Sequence, residues 1–312
     1  AGESLKEAVR FLRRWLPASD QSHLPPLYLH RHASSSLATR RHYPWAADVP
    51  WQVYLNDVVP PFSLCEPRES FRLKASVTSF FTSILANHSQ TLHTTADVAA
   101  HLNANAWEIT TPPIKFEAAK PNVINSYSPS QVMHNKASSC TGLAVFLVDS
   151  LRLCGVPARV VGVPHWNMDA VICPDGDASA ECGNHNWIEI FDTGTHTWAF
   201  VDVIGDLRLN HSWFHPAKTS LAIPLTVNHS IFASSYADPL YLMDADPASY
   251  VKPGQLPAKE GWFPMVWDWS CKGVRAWDVT QVYTQAAAAA TTKTTTTKTA
   301  TTTAAATAAA AA

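Results

Sequence analysis

Three residues, Cys140, His185 and Asp202, have the side-chain types and the chain order that a cysteine nucleophile with its base requires. A thiol attacks a carbonyl as its thiolate, and it needs a base within hydrogen-bond reach. Histidine can serve as that base, and a carboxylate can hold its imidazole in the right tautomer and favour its charged form. The three residues therefore predict acyl transfer at a carbonyl through a covalent thioester.

The element that carries Cys140 is predicted to be a buried helix. Residues 140–153 read CTGLAVFLVDSLRL and are apolar on most faces. Gly155 suits the position just after a helix end, and Pro157 prevents the helix from continuing. Cys140 would then lie at the helix N-terminus, where unpaired N–H groups and the helix dipole stabilise a negative sulfur. Its own backbone N–H is a candidate donor to an oxyanion.

The base and the carboxylate are predicted to lie on neighbouring strands. A strand-like run follows His185 at 186–191 (NWIEIF), a second one covers 197–203 (TWAFVDV), and the residues between them, DTGTH, fit a hairpin loop. Adjacent antiparallel strands can place His185 beside Asp202, so that both face the helix N-terminus. Asp206 is the fallback for Asp202 if the second strand ends earlier.

The order of these elements predicts an α+β fold. One buried helix is followed by antiparallel strand-like runs, of which the first is 158–163 (ARVVGV), and this order argues against a doubly wound sheet. We place the catalytic domain at 75–250, after a helical, aromatic-rich N-terminal segment (1–74) that packs on it. A short Trp-rich C-terminal extension (251–284) closes the domain.

The end of the sequence is a low-complexity tail. After Gln285, residues up to 312 are Ala, Thr and Lys. The tail, 285–312, has no aromatic and no large apolar residue, so it cannot bury a core. We predict that it is disordered or weakly helical.

Four motifs in this order resemble the transglutaminase-like superfamily. They are a helix-initial cysteine (Cys140), the run GVPAR at 155–159, a strand with His185 and Trp187, and a strand that runs from Trp198 to Asp202. The resemblance is firm over about 136–204 and fainter over 40–72 and 205–280. It implies a papain-like core in which Cys140 is the nucleophile, His185 the general base and acid, and Asp202 the orienting carboxylate.

The resemblance indicates the class of reaction but not the substrate. The family includes transamidating enzymes, peptidases, deamidases, peptide N-glycanases and inactive members. We expect a cysteine-dependent enzyme that attacks an amide carbonyl, peptide or glutamine-like, with hydrolysis favoured over transamidation. The alternative is a catalytically inactive binding module that keeps the fold. The residues before Cys140, HNKASS, lack the Trp that supports the oxyanion hole in Ca²⁺-activated crosslinking members, so crosslinking is less expected and the second oxyanion donor stays open.

Other residues near the motifs receive plainer interpretations. Trp187 and Trp198 are predicted to be aromatic walls of the site. By the family's motif, Arg159 anchors the structure. His134 and His165 are close to the site in sequence, and we interpret them as surface or rim residues.

The six cysteines divide into three groups. The first group is the candidate nucleophile, Cys140. The second is Cys173 and Cys182, which flank an acidic loop, and three interpretations of this pair stay open: a disulfide, two free thiols, or, least expected, a zinc site with His185. The remaining three are interpreted as free residues packed in the core: Cys65, Cys154 and Cys271. We expect no cofactor and no metal.

Composition limits the classes of partner. The 312 residues carry a formal net charge of −2, and no apolar run approaches the ~20 residues of a membrane span. We therefore expect no nucleic-acid partner and no membrane span, and a polypeptide or small amide as substrate. Asn-His-Ser sequons at Asn87, Asn210 and Asn228 favour a secreted or extracytoplasmic location, which is otherwise unknown.

Overall fold

A helix that begins at Cys140 runs through the middle of the fold, as the apolar run 140–153 predicts. The computed structural model describes residues 4–86, 88, 90–118, 128–166, 183–205, 208–265 and 271–288. The α-helices in these ranges are α1 (Leu5–Trp15), α2 (Ala18–Gln21), α3 (Pro26–His42), α4 (Pro44–Ala47), α5 (Trp51–Asp57), α6 (Ala75–Ala86), α7 (Thr95–Asn105), α8 (Pro129–Asn135), α9 (Cys140–Leu153), α10 (Pro239–Ala245), α11 (Pro247–Tyr250) and α12 (280–288). None of these helices has the length and apolar character to cross a membrane.

The strands of the described chain form one antiparallel sheet and one small parallel pair. They are β1 (Lys115–Phe116), β2 (Ala137–Ser138), β3 (Ala158–Val163), β4 (His185–Asp192), β5 (Thr197–Val201), β6 (Phe232–Ser235), β7 (Leu256–Pro257) and β8 (Arg275–Asp278). β1 pairs with β2 in parallel. The others lie in the order β5-β4-β3-β6-β8-β7, with every neighbouring pair antiparallel. The fold is therefore a mixture of helices and antiparallel sheet.

The helix that carries Cys140, α9, packs on β3 and β4 near the middle of the sheet. Every residue of α9 after Cys140 is buried, and so is every residue of β3, which explains why both sequences are almost continuously apolar. Gly155, two residues beyond α9, has a φ of +79°, and a Cβ there would lie 2.6 Å from the Cβ of Ala46. Glycine is therefore required where the helix ends.

Two buried arginines hold the irregular stretch that follows α5. Arg72 donates hydrogen bonds to the carbonyls of Val58 (2.8 Å) and Pro60 (2.7 Å). Arg152, on α9, donates to the carbonyl of Phe62 at 2.9 Å. Buried carbonyls outside regular elements need donors, and a guanidinium group offers five N–H groups. Through Arg152 the N-terminal segment is fastened directly to α9.

The C-terminal segment is part of the same sheet. Residues 251–284 supply β7 and β8, and β8 pairs with β6. The helix that follows, α12, places the ring of Tyr283 in the core and continues into the first residues of the predicted tail, up to 288. The rest of the tail lies outside the described residues, and the domain limits stay predictions.

Cys65 and Cys271 form a disulfide, with their Cα atoms 5.9 Å apart. The interpretation of these two residues as free thiols in the core is wrong. The two cysteines are 206 residues apart in the sequence, and no local sequence pattern predicts a disulfide between such distant positions. Cys154 is free and buried, as expected. Cys173 and Cys182 lie outside the described residues.

We expect the double variant C65S/C271S to have a free energy of unfolding about 2–5 kcal/mol lower than that of the native chain. A bridge that closes so long a loop strongly restricts the unfolded chain. Urea unfolding monitored by tryptophan fluorescence measures the difference, with mass spectrometry to verify that the native protein is bridged. Equal midpoints for the two proteins would contradict a stabilising role.

Candidate active site

Cys140 is the first residue of α9 and is half-buried. Burial by itself raises the pKa of its thiol. Hydrogen bonds that His185, Thr141 and the backbone N–H of Asn186 donate to the sulfur, together with the charge of the imidazole, outweigh burial and lower the pKa below its ordinary value. The helix N-terminus adds a further positive potential at the sulfur.

His185 is the first residue of β4, and its imidazole lies between the sulfur and a carboxylate. Its Nε2 is 3.1 Å from Oδ1 of Asp202, which leaves Nδ1 to face Cys140. Burial lowers the pKa of His185. The hydrogen bonds to Asp202 and Cys140, and the negative charges of both groups, outweigh burial and raise the pKa to about 9. Both shifts therefore favour an imidazolium beside a thiolate.

Asp202 directly follows β5, and its carboxylate is fixed on every side. Beyond the contact with His185, Oδ1 accepts the backbone N–H of Ile204 at 3.2 Å, and Oδ2 accepts the hydroxyl of Ser212 at 2.8 Å. Asn103, on α7, donates to the backbone carbonyl of Asp202 at 3.2 Å. The structure thus brings Asp202 to His185, whereas the fallback residue Asp206 lies outside the described residues.

Asn186, next to the histidine, connects β4 to the start of α9. Its side-chain amide donates to Oγ1 of Thr141 at 2.7 Å, while its backbone N–H donates to the sulfur of Cys140. Gly162, directly opposite on β3, makes room for the amide, because a Cβ there would overlap Oδ1 of Asn186. Sequence reasoning missed Asn186, although its place in the run HNW was a signal that could have singled it out.

Three aromatic rings enclose the imidazole of His185. The ring centroids lie 5.8 Å away for Trp187, 5.4 Å for Trp213 and 5.2 Å for Phe214. As a result His185 is only 3% exposed. Apolar walls exclude water and so strengthen the electrostatic interactions inside them. Trp187 is a wall of the site, as predicted from the sequence, whereas Trp213 and Phe214 belong to an irregular segment and were not predicted.

A buried hydrogen-bonded chain stands behind these rings. Arg159 donates to Glu189 (2.8 Å), the hydroxyl of Tyr283 donates to the other Glu189 oxygen (2.9 Å), and the indole of Trp187 donates to Tyr283 (2.8 Å). Arg159 therefore anchors the structure, in line with its interpretation. The guanidinium carbon of Arg159 lies 3.8 Å from the centroid of the Trp198 ring. Trp198 is therefore not a wall of the site, because four residues of strand, about 13 Å, separate it from Asp202.

The two further histidines have different surroundings. His134 is exposed, as expected. His165 is buried, so its interpretation as a surface or rim residue is wrong; its backbone N–H bonds to the carbonyl of Asn228 at 2.8 Å, which draws it beneath the neighbouring loop.

No metal-binding arrangement is present in the part of the chain that the structure describes, where no three His, Cys, Asp or Glu side chains are grouped to hold an ion. The zinc alternative needs Cys173 and Cys182, which lie outside the described residues. It also needs a free nitrogen on His185, and both ring nitrogens already face Cys140 and Asp202.

We expect Gly162→Ala to lower the free energy of unfolding by about 1–3 kcal/mol, because the new methyl group must displace the Asn186 amide from a packed position. Gly273→Ala is the matched control, since its Cβ would meet Pro17 at an ordinary 3.4 Å. Chemical denaturation of both variants gives the comparison. Equal stability of the two would show that Asn186 is not held as described.

One of three comparisons with known proteins finds a match. No curated protein and no solved structure matches the chain. The family model of the transglutaminase-like superfamily matches residues 86–203, a range that contains α7, α9, β3, β4 and β5 and includes Cys140, His185 and Asp202. The chain therefore carries a domain of the transglutaminase-like superfamily, the family that its four ordered motifs resemble.

Proposed function

We propose that the chain is a cysteine-dependent acyl-transfer enzyme that attacks an amide carbonyl, peptide or glutamine-like, through a thioester on Cys140. The observation that carries the proposal is the hydrogen-bonded line of sulfur, imidazole and carboxylate, in which the pKa of Cys140 is lowered and that of His185 is raised to about 9. A transglutaminase-like domain, whose superfamily is largely enzymatic, supports the same class. We further propose that the helix and sheet around Cys140 form a papain-like core.

The first half of the proposed reaction forms the thioester. The Cys140 thiolate bonds to the carbonyl carbon, and the carbonyl electron pair moves to oxygen, which becomes an oxyanion. The backbone N–H of Cys140 at the start of α9 is the proposed donor to that oxyanion. The side chain of the N-cap residue, Ser139, makes no capping hydrogen bond to the first turn of this helix. When the oxyanion collapses, the carbon–nitrogen bond breaks and the His185 imidazolium gives its proton to the departing amine.

The second half releases the acyl group. The neutral His185 takes a proton from water as the water oxygen bonds to the thioester carbon. Collapse of this second oxyanion breaks the carbon–sulfur bond and returns the thiolate, while the product is a carboxylic acid. An amine in place of water would give transamidation. We propose hydrolysis because it needs only water as second substrate.

We expect iodoacetamide to alkylate Cys140 well below pH 8.5, because the imidazolium stabilises the thiolate until His185 loses its proton near pH 9. An ordinary thiol is only about 1% thiolate two pH units below its pKa. His185→Ala should therefore slow alkylation at pH 6.5 by about 10- to 100-fold. Peptide mapping by mass spectrometry identifies the labelled residue.

Cys154 is the control within the same chain, because it is free and buried and burial raises the pKa of its thiol. It should stay unlabelled in the folded protein at every pH in the series. If Cys140 reacts only as the pH approaches 8.5, the thiolate pair is absent and an inactive binding module becomes the better description.

We expect Asp202→Asn to lower kcat for amide hydrolysis by about 10²- to 10⁴-fold with little change in KM, because the imidazole loses the group that orients it and favours its charge. Ammonia release from glutamine-containing peptides, followed with and without a fluorescent amine, measures hydrolysis against amine incorporation. Asp244→Asn, at an exposed position of α10, is the control and should retain full activity. Amine incorporation that exceeds acid formation would overturn hydrolysis as the main reaction.

A further inference from the structure

Trp213 lies at the centre of a short turn whose two neighbours are both anchored in the site. Ser212, before it, donates its hydroxyl to the carboxylate of Asp202 at 2.8 Å. Phe214, after it, is fully buried and packs against Trp187 with ring centroids 4.5 Å apart. The turn is closed by a bridge between Ser212 and His215. The position of Trp213 is therefore determined by the site itself.

Unlike the other rings around the imidazole, Trp213 faces the solvent. It is 54% exposed, whereas Trp187 and Phe214 are buried. Its ring is nevertheless only 5.4 Å from that of His185, at an angle of 52°. Because about half of this indole is in contact with water, it adds little to the packing of the chain. Tryptophan is among the residues most enriched at binding hot spots.

A cation accompanies this ring. The Nζ of Lys218 lies 5.1 Å from the centroid of the Trp213 ring and 5.6 Å from that of Trp166. In the described part of the chain, no carboxylate lies within ion-pair distance of Lys218. Its positive charge is therefore held at the rim by two indole faces, where it is available to an anionic group that approaches the site.

We propose that Trp213 and Lys218 form a substrate subsite at the rim of the active site, which selects acyl donors that carry a flat apolar side chain accompanied by a carboxylate. This inference rests on the proposed function, because it assigns the substrate class of the same site. Such a donor lays an aromatic group on the indole and directs its negative charge to the ammonium group. Peptide segments in which an aromatic residue neighbours an Asp or Glu have this chemistry.

Alkylation of Cys140 by three matched reagents tests the subsite without knowledge of the natural substrate. The reagents are chloroacetamide, its N-benzyl derivative, and the N-(4-carboxybenzyl) derivative. In each, the thiolate displaces chloride, so that a carbon–sulfur bond forms as the carbon–chlorine bond breaks and chloride leaves with the electron pair. Second-order rates at pH 7 are measured by mass spectrometry and divided by the rates with free glutathione, which removes the intrinsic reactivity of each reagent.

The native protein should react with the benzyl reagent about 10-fold faster than with chloroacetamide, after the correction for intrinsic reactivity. This ratio is what one aromatic contact and the area that it buries would give. The carboxylate should add a further few-fold gain that disappears in high salt. Trp213→Ala should bring the benzyl preference close to one, and Trp213→Phe should keep part of it. Lys218→Gln should remove only the gain that depends on the carboxylate.

Trp262→Ala is the matched control, because Trp262 also carries a lysine, Lys272, 5.2 Å from its ring centroid. It should leave the preferences at their native values. A benzyl preference that survives Trp213→Ala overturns the inference while the proposed function stands. Failure of chloroacetamide itself to label Cys140 at pH 7 overturns the proposed function and the inference with it.

Discussion

The whole site depends on a pair of opposite charges that are stable only beside each other. A thiolate or an imidazolium alone would lose much of its hydration within the aromatic enclosure, and a buried charge without a partner is strongly unfavourable. Here the imidazole of His185 lies between the sulfur of Cys140 and the carboxylate of Asp202. Asp202 and Cys140 both stabilise the charged form of the imidazole, and Ser212 donates a hydrogen bond to the second oxygen of Asp202.

The surrounding fold supplies the rigidity that this line of charges needs. Its three members come from the beginning of α9, the beginning of β4 and the residue after β5, so that helix–sheet packing and strand register fix their separations. Two bracing contacts reach the site from distant parts of the chain. Arg152 holds the irregular N-terminal stretch to α9, and Tyr283 connects α12 to the strand that carries the histidine.

The local parts of this arrangement could be predicted from the sequence. The helix spans 140–153, the strand β3 spans 158–163, and β4 begins at His185, because each has a distinct apolar pattern with Gly or Pro nearby. The family resemblance was confirmed over residues 86–203, which carry the four motifs. The order of these motifs was enough to predict that Cys140, His185 and Asp202 lie together.

The parts that escaped prediction depend on contacts between distant segments. Ser212 lies in an irregular stretch, and only the tertiary fold shows that its hydroxyl meets a carboxylate ten residues earlier. Tyr283 is separated from its partner Trp187 by 96 residues. The same reason explains the errors: the pairing of Cys65 with Cys271 and the burial of His165 are decided by which loops pack together, and no local periodicity records that.

The disulfide and the free thiol of Cys140 require opposite redox conditions. In the proposed reaction Cys140 must be reduced, while the Cys65–Cys271 bridge must stay oxidised to hold the N-terminal segment beside β8. Such bridges persist in oxidising compartments. A strong reductant that protects the nucleophile in a preparation would at the same time open this cross-link, so the protein calls for mild thiol conditions during handling.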